Sequence, residues 1–348
     1  KTKIETKKMT IKQLRSMTRS GSPEWTPALG VWSTGLLSLD MILGKDKDLN
    51  YGMPRGTIVE VFGHSDSGKS ALVVQWAKSI IDQNGSVAYF NSDGRLSLQF
   101  ICDVGIDPDL PTKTFGVYDN YIISEVFQII EAEIDRRDLI IVDSVAALAT
   151  ESEASSQLAE LPPMDEFLHQ VDRSLLMLRH KLLNRRATIV LVNQIRQDIE
   201  NGFGYHAAFP TAVKPNAQIR IDVQKINSIN RDGDLHYLGY GMIGHTLSVE
   251  VVKNEPFRPH GKSVLDLYYS QGFDTITDIL NMAVNLDMIE KYPNGKYLVV
   301  GTKDVVDTKT IRNYVIENRD DLRKKIIEEY TIRDKWYPQN GGNNGRSQ

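Results

Sequence analysis

The sequence has little cysteine and no long apolar stretch. Its 348 residues include one cysteine, Cys102, so no disulfide can form within the chain, and this usage is typical of a reducing compartment. No apolar run approaches the roughly 20 residues that a membrane-spanning helix needs. These absences argue against a disulfide-stapled secreted domain and against a membrane protein, and they predict a cytoplasmic location.

The chain also lacks an excess of positive charge. Its 41 Lys and Arg residues against 45 Asp and Glu residues give a net charge of −4, which does not favour a general nucleic-acid binder. Basic residues are concentrated near the N-terminus. Residues 1–20 contain one acidic residue, Glu5, and seven basic ones: Lys1, Lys3, Lys7, Lys8, Lys12, Arg15 and Arg19. Two interpretations stay open: a solvated arm, or an arm that contacts a neighbouring subunit or a polyanion.

Short apolar runs alternate with amphipathic helical stretches through the middle of the chain. The runs "GTIVEVFG", "SVAYFN", "DLIIVDSVAAL" and "ATIVLVNQ" lack polar alternation, as buried parallel strands do. This order predicts an α/β fold with a mostly parallel sheet flanked by helices. We expect a basic arm over 1–29, the core over 30–268, a small C-terminal α/β domain over 269–335 and a disordered tail over 336–348.

The stretch "GHSDSGKS", residues 63–70, matches G-x-x-x-x-G-K-S/T between an apolar strand and a helix. Gly63 and Gly68 let the backbone curl so that N–H groups point at a phosphate, and the helix N-terminus adds partial positive charge. Lys69 is expected to reach the β- and γ-phosphates, and Ser70 to offer its hydroxyl to Mg²⁺. The pattern therefore predicts ATP and Mg²⁺ as cofactors, with the loop completed by His64, Ser65, Asp66 and Ser67.

Two carboxylates and one aromatic residue extend this prediction. Asp143 ends the buried strand "LIIVD", where a carboxylate can hold the metal; the alternative is an Asp that caps the next turn. Asp93 follows the strand "VAYFN" and is the candidate for orienting the attacking water. Phe100, in the next helical stretch, is suited to covering an adenine face, although a plain core position fits almost as well.

Two polar stretches follow predicted strands and are candidates for DNA-binding loops, near 150–165 and 195–215. The second carries the basic residue Arg196 and the aromatic residues Phe203 and Tyr205 among small residues. This mixture suits single-stranded nucleic acid, because each base stacked on an aromatic ring contributes roughly 1–3 kcal/mol. Composition alone does not exclude the alternative that the two stretches are structureless surface loops.

Taken together, the chain resembles the bacterial RecA recombinase family over nearly all of its length. The motifs that carry the resemblance occur in the family's order: "STGLLSLDMILG", "MPRGTIVEVFGHSDSGKSAL", "VAYFNSDGRLSLQFICDVGID", "LIIVDSVAALATESE", "LVNQIR", "IRIDV", "VVKN" and "YYSQGFD". Similarity is thin between them, which suggests a divergent member of the kind that a phage could encode.

The resemblance implies a RecA-like P-loop ATPase core whose subunits form a helical filament on single-stranded DNA, pair it with homologous duplex and exchange strands. ATP would lie between subunits, with Lys253 reaching the neighbour's γ-phosphate. Gln194 would sense the γ-phosphate of ATP at the foot of the second DNA loop, which contains Arg196 and Phe203. Loader proteins and single-strand-binding proteins are candidate partners.

The sequence departs from the family pattern at four positions. Asp93 stands where the family has Glu, which is compatible with slower hydrolysis or a differently placed water. Phe100 replaces the adenine-stacking Tyr. Glu255 replaces the second lysine that reaches across subunits, and Arg258 is the nearby replacement for its charge. Pro215 replaces an aromatic residue that follows the second loop.

Two functions are therefore compared. The intact phosphate loop and Gln194 favour an ATP-dependent strand-exchange enzyme. Glu255 and Pro215 favour a regulatory paralogue that binds nucleotide and DNA without exchanging strands. A helicase-type motor with the same core is weaker, because the small C-terminal domain resembles that of recombinases.

Overall fold

The computed structural model describes residues 29–155, 164–183, 185–197, 205–208, 210–230, 241–302 and 304–340. Within them the strands are β1 (Val31–Trp32), β2 (Met53–Pro54), β3 (Ile58–Gly63), β4 (Val87–Asn91), β5 (Phe115–Tyr118), β6 (Leu139–Asp143), β7 (Thr188–Gln197), β8 (Tyr205–Ala207), β9 (Ile219–Asn230), β10 (Met242–Asn254), β11 (Gly261–Tyr268), β12 (Gly272–Phe273), β13 (Ile289–Lys291), β14 (Tyr297–Val299) and β15 (Val305–Val306). The helices are α1 (Leu37–Leu43), α2 (Lys69–Asp82), α3 (Leu98–Val104), α4 (Ile123–Glu133), α5 (Glu151–Ser155), α6 (Met164–Leu182), α7 (Pro210–Asn216), α8 (Thr275–Asn285), α9 (Thr308–Glu317) and α10 (Arg319–Asn340).

A ten-stranded sheet forms the centre of the molecule, in the order β12-β11-β10-β9-β3-β7-β6-β4-β5, with β8 paired to β7. The strands from β9 to β5 pair in parallel, and those from β9 to β12 pair antiparallel. The predicted α/β fold with a mostly parallel sheet is confirmed. Parallel strands bring their carboxyl ends to one edge, so the segments that follow β3, β4, β6 and β7 meet there.

Successive residues of each parallel strand enter two different cores. In β6, Ile141 packs with α2 and α3 on one face, whereas Ile140 and Val142 pack with α4 and α6 on the other. Both faces are covered, so the strands contain apolar residues without polar alternation. Among the described residues, no helix combines the length and the apolar character that crossing a bilayer requires.

A long antiparallel pair, β9 and β10, extends the sheet beyond the parallel strands. Its register runs from Ile219 opposite Asn254 to Asn230 opposite Met242. The first residues of β9 alternate between buried and partly exposed, but the outer half of the strand is exposed. The sequence analysis found only the inner part, "IRIDV", because the exposed half lacks the apolar pattern of a buried strand.

The C-terminal domain docks against helix α1 of the core. Leu37 and Met41 of α1 share one apolar cluster with residues of α8, α9 and α10. The carboxylate of Asp278 accepts the Ser38 N–H at 3.2 Å, and so it caps the N-terminus of α1 from the other domain. Tyr51 and Tyr330 meet edge to face with centroids 5.7 Å apart, which adds a second contact across the same boundary.

Three predicted boundaries differ from the structure. The sheet continues through Phe273, past the expected core limit at 268, because the short strand β12 pairs with β11. Helix α10 continues through Asn340, so residues 336–340 are helical rather than part of a disordered tail. Helix α7 and the β7–β8 pair occupy much of the expected loop 195–215. The basic arm up to residue 28 and residues 341–348 lie outside the described residues.

Candidate nucleotide site

The loop between β3 and α2 requires glycine at both of its ends. Gly68 has φ 87°, and a Cβ there would lie 2.7 Å from Leu247 Cδ1. A Cβ on Gly63 would lie 2.2 Å from the Val223 carbonyl oxygen of β9. A side chain at Gly63 would displace β9, and at Gly68 the left-handed backbone conformation itself disfavours any other residue. The two glycines thus let the loop lie directly against β9 and β10 while α2 starts at Lys69.

The side chain of Lys69 is buried beneath this loop. Its Nζ donates to the carbonyl oxygens of Gly63 at 3.0 Å and His64 at 2.5 Å. Burial lowers the pKa of Lys69, and the carboxylates of Asp143 and Asp66 oppose that shift. The ammonium is therefore held next to the loop by carbonyl oxygens that a phosphate oxygen can replace as its partner.

The Asp143 carboxylate, at the end of β6, lies beside the first turn of α2. Tyr89 donates its hydroxyl to Asp143 Oδ2 at 2.7 Å, and the Ser70 side chain also hydrogen-bonds this carboxylate. Burial raises the pKa of Asp143, while Tyr89 and Ser70 lower it. A carboxylate and a hydroxyl side by side are hard oxygen ligands, which fit Mg²⁺. Among the described residues no group of three or more His, Cys, Asp or Glu side chains could hold a metal, so phosphate oxygens and water would complete its shell.

Asp93 lies next to Asp143 at the same edge of the sheet. The Asp93 N–H donates to the Asp143 carbonyl oxygen at 3.3 Å, because β4 and β6 are neighbours. Asp93 Oδ1 accepts the N–H of Arg95 at 3.2 Å, and the Arg95 guanidinium lies 3.7 Å from the other oxygen. The carboxylate is thus fixed in a tight turn, at the position where sequence analysis expected a residue that orients water.

Gln194 lies beside the phosphate loop, because β7 pairs with β3 and places Gln194 opposite Gly63. Its backbone is fixed on both sides: Gln194 N–H donates to Asn193 Oδ1 at 2.9 Å, and its carbonyl accepts the Ala208 N–H at 2.6 Å. Asn193 in turn donates to Glu60 of β3 at 2.9 Å. Gln194 therefore connects the loop edge to the segment that includes β8.

One cavity of about 470 Å³ unites most of the predicted residues. The predicted residues that line it are Ser65, Asp66, Ser67, Gly68, Lys69, Ser70, Asp93, Phe100, Asp143 and Gln194. Phe100 reaches it from α3, which begins where Ser97 accepts the Phe100 N–H and ends at Gly105 in the left-handed conformation. Phe100 also packs against the core, so both interpretations of this residue apply.

Sequence analysis missed several residues of the same cavity. Arg95, Lys225, His245 and Tyr269 all line it, and Tyr89 supports Asp143 from below the loop. Lys225, His245 and Tyr269 come from β9, β10 and the end of β11. Only the antiparallel pairing of these strands brings them to the loop, and no motif spacing in the sequence marks that pairing.

Four residues that we assigned to the nucleotide are not among those that line this cavity: Gly63 and His64 of the loop itself, and the more distant Lys253 and Arg258. Lys253 Nζ donates to the Ala217 carbonyl at 2.6 Å and lies 3.0 Å from Glu255 Oε1. The other oxygen of Glu255 lies 2.9 Å from Arg179 of α6. Arg258 pairs instead with Asp334 of α10 at 2.6 Å. The cation that shares Glu255 with Lys253 is therefore Arg179, which sequence analysis did not consider.

The predicted DNA-contacting residues fall in a region of which little is described. Arg196 lies on β7 and Tyr205 on β8, and these strands pair antiparallel. The side chains of both, and all of Phe203, lie outside the described residues. So does the segment 156–163 of the first expected loop, which follows α5.

Comparison with known proteins identifies the family. A family model of the RecA N-terminal domain matches residues 8–274. The chain belongs to the RecA family. The resemblance inferred from the sequence motifs is thereby confirmed, and the matched segment ends next to β12, where the central sheet also ends.

Curated RecA proteins are similar over most of this RecA-family chain. Protein RecA of Malacoplasma penetrans is 28% identical over 307 residues, covering 86% of this chain and 88% of that protein. Protein RecA of a Sulfurovum species is 28% identical over 335 residues, covering 91% and 89%. Protein RecA of Bordetella avium is 27% identical over 315 residues, covering 87% and 82%. A crystal structure of the RadB recombinase is similar at 18% identity with a TM-score of 0.49, covering 70% of this chain and 98% of that one.

Proposed function

We propose that this RecA-family protein is a DNA-dependent ATPase that forms a helical filament on single-stranded DNA and catalyses homologous pairing and strand exchange. The observation that carries the proposal is the cavity in which Lys69, Ser70, Asp143, Asp93 and Gln194 meet. Family membership and the RecA relatives support the same activity. We propose that the protein works in the cytoplasm.

The phosphate end of ATP would bind at the N-terminus of α2. Lys69 would exchange the carbonyl oxygens of Gly63 and His64 for phosphate oxygens, a stronger partner for a buried ammonium. Ser70 and Asp143 would hold Mg²⁺, which neutralises phosphate charge when bound. Tyr89 keeps the Asp143 carboxylate oriented through its hydroxyl.

Hydrolysis would depend on Asp93. Its carboxylate is adjacent to Asp143 and is held by the Arg95 N–H, so it can accept a proton from a water without turning away. Aspartate is one methylene shorter than the glutamate of the family, and we therefore propose slow turnover. A slow ATPase would leave subunits in the ATP-bound state for longer.

Coupling of ATP to DNA would pass through Gln194. A side-chain amide can hydrogen-bond a phosphate oxygen, and the backbone of Gln194 is bonded to Ala208 beyond β8. A shift of Gln194 would therefore move the β7–β8 segment, which carries the expected DNA contacts Arg196, Phe203 and Tyr205. Binding of single-stranded DNA would tighten when ATP is present.

A regulatory paralogue is the second candidate, and one observation favours it. Lys253, the residue that we assign to the neighbour's γ-phosphate, is engaged with the Ala217 carbonyl and with Glu255. Arg179 binds the same glutamate. If this cluster stays closed in the assembled protein, a shared nucleotide site does not form, and strand exchange is not expected.

Joint-molecule formation between circular single-stranded DNA and homologous linear duplex tests the proposal. We expect joint molecules with ATP and with a non-hydrolysable analogue, and DNA-stimulated ATP hydrolysis. Nucleotide-dependent DNA binding without joint molecules would favour the regulatory paralogue. The absence of both would refute both candidates.

The Lys69→Ala variant checks whether the loop is responsible. It removes the buried counter-charge of the phosphates, so nucleotide-dependent DNA binding should be abolished. Lys78→Ala is the matched control, because Lys78 lies on the same helix and pairs with Asp82. If nucleotide-dependent DNA binding is the same in Lys69→Ala and Lys78→Ala, the assignment of the loop as the phosphate-binding site is contradicted.

A further inference from the structure

A buried ion pair joins β3 to β9 on the face of the sheet that α6 covers. Glu60 is 0% exposed, and Arg220 donates its Nε–H to Glu60 Oε2 at 2.5 Å. The Arg220 guanidinium also lies 4.6 Å from the centre of the Phe62 ring. Ile58 and Leu191, the neighbours of Glu60 on this face, belong to the apolar core. Replacing such a pair by apolar side chains is often neutral or stabilising, so the stability of the sheet alone does not explain the pair.

The second oxygen of Glu60 holds the side chain of Asn193, the residue before Gln194. Asn193 is also 0% exposed, and its Nδ2 donates to Glu60 Oε1 at 2.9 Å. The same Nδ2 donates to the Ala208 carbonyl oxygen at 2.6 Å, while Oδ1 accepts the Gln194 N–H at 2.9 Å. Glu60 therefore fixes which way the Asn193 amide faces, because an ionised carboxylate accepts hydrogen bonds and donates none.

Ala208 is held to the end of β7 by two hydrogen bonds. Its N–H donates to the Gln194 carbonyl oxygen at 2.6 Å, and its own carbonyl oxygen accepts from Asn193. A displacement of Gln194 moves Ala208 fully only while both bonds persist, and the second bond depends on the amide orientation that Glu60 sets. Without Glu60 the amide is free to turn, and the displacement would be absorbed between Gln194 and Ala208.

We propose that Glu60 and Arg220 are positioning residues that make the segment beyond β8 follow Gln194 when nucleotide binds. The inference rests on the proposed function, which gives Gln194 a phosphate oxygen as its partner. Arg220 holds the Glu60 carboxylate. Glu60 in turn holds Asn193, and with it the bond to Ala208. Neither Glu60 nor Arg220 lines the nucleotide cavity, so the pair would act on the coupling between ATP and DNA rather than on contacts with ATP.

A coupling factor measures this role. It is the ratio of the Kd for a labelled oligo(dT) without a non-hydrolysable ATP analogue to the Kd with it, and in the wild type we expect about 5–150. In Glu60→Gln the amide turns a donor toward one of its two donor partners, so the factor should fall roughly threefold to tenfold, as expected for one lost hydrogen bond. The Kd for oligo(dT) without nucleotide should stay unchanged. By linkage, oligo(dT) should raise the affinity for the analogue by the same reduced factor.

Two further variants separate this role from a loss of stability. Glu133→Gln is the matched control, because Glu133 forms another buried ion pair, with Arg137, at the end of α4. Both glutamine variants should have a lower Tm, but Glu133→Gln should keep the wild-type coupling factor. If Glu60→Gln does not fold, the double variant Glu60→Met with Arg220→Met replaces the pair by apolar side chains and should fold. It should show the reduced coupling factor, since Asn193 again lacks its acceptor.

The outcomes distinguish the role of the ion pair from the proposed function. A wild-type coupling factor in the Glu60 variants would overturn the role of the pair and leave nucleotide-dependent DNA binding intact. An equal fall in Glu133→Gln would also overturn it, because any buried ion pair would then have the same effect. A wild-type chain whose affinity for oligo(dT) ignores the analogue would refute the proposed coupling itself, and the role of Glu60 with it.

Discussion

At the scale of single residues, the candidate site combines groups that the sequence marks with groups that it does not. Lys69, Ser70 and Asp143 are visible because a loop motif and a strand end specify them locally. Asp93 is visible because it follows a buried strand at the same edge. The proposed role of each residue depends on one charge or one oxygen atom, so a single substitution can test it.

Asp93→Asn is predicted to separate hydrolysis from binding. The amide keeps the shape of the carboxylate but cannot accept a proton, so turnover should fall by about 10²–10⁴ while ATP-dependent DNA binding is retained. Asp93→Glu restores the carboxylate of the family and should retain activity. Asp103→Asn, which alters a partly exposed carboxylate on α3, is the control. Steady-state phosphate release on single-stranded DNA measures all three, and unchanged turnover in Asp93→Asn would reduce Asp93 to a turn residue.

Other residues of the cavity could not be found by local reasoning. His245 and Lys225 belong to antiparallel strands whose register is set by long-range pairing. Tyr269 follows the next strand, and its motif "YYSQGFD" gives no chemical reason to place it near a phosphate loop. Arg179 was also missed, because its partner Glu255 is distant in sequence and the ion pair depends on how α6 packs.

At the scale of elements, apolar continuity predicts the parallel strands well and the peripheral elements poorly. Strands β3, β4, β6 and β7 are covered on both faces, so burial shapes their sequences. The outer half of β9 is exposed and polar, and α7 contains Pro215, so neither shows a periodic pattern. Tertiary pairing, rather than local preference, determines these elements.

The cluster of Lys253, Glu255 and Arg179 joins β10 to α6, and its role depends on assembly. If Lys253 completes a neighbour's site, a Lys253→Ala subunit spoils that site while still entering the filament. Mixing this variant with the wild type should therefore reduce ATPase activity by more than its share of subunits. Lys78→Ala, which loses the contact with Asp82 on the same helix, should give a linear or flat response. A linear response to Lys253→Ala as well would contradict a site shared between subunits.

At the scale of the whole molecule, core and C-terminal domain are joined through buried carboxylates. Asp40 on α1 accepts the Ser33 hydroxyl at 2.6 Å and the Thr34 N–H at 2.7 Å. Arg323 of α10 lies 3.9 Å from the same carboxylate. Burial raises the pKa of Asp40 to about 7, more than these partners lower it. The contact between the domains therefore contains a group that titrates near neutrality.

The folded chain should lose stability as pH rises from near 3.8 to about 7. The unfolded chain releases the Asp40 proton near 3.8, whereas the folded chain keeps it to about 7, so folding is favoured at low pH and loses that advantage as pH approaches 7. From pH 5 to pH 8, the free energy of unfolding of the wild type should fall by about 2–3 kcal/mol relative to Asp40→Asn. Urea titrations at both pH values measure this difference. Asp48→Asn, at an exposed position, should track the wild type, and a parallel response of Asp40→Asn would contradict the assignment.

The single cysteine gives the molecule a built-in attachment point for a reporter. Cys102 is exposed on α3, two positions beyond Phe100, which lines the candidate nucleotide cavity. A thiol-reactive fluorophore would therefore attach at one known place, without any substitution to remove competing thiols. Because α3 also carries Phe100, the emission of that dye would follow the arrival and departure of nucleotide in real time. The scarcity of cysteine thus makes the binding kinetics of the unaltered chain directly observable.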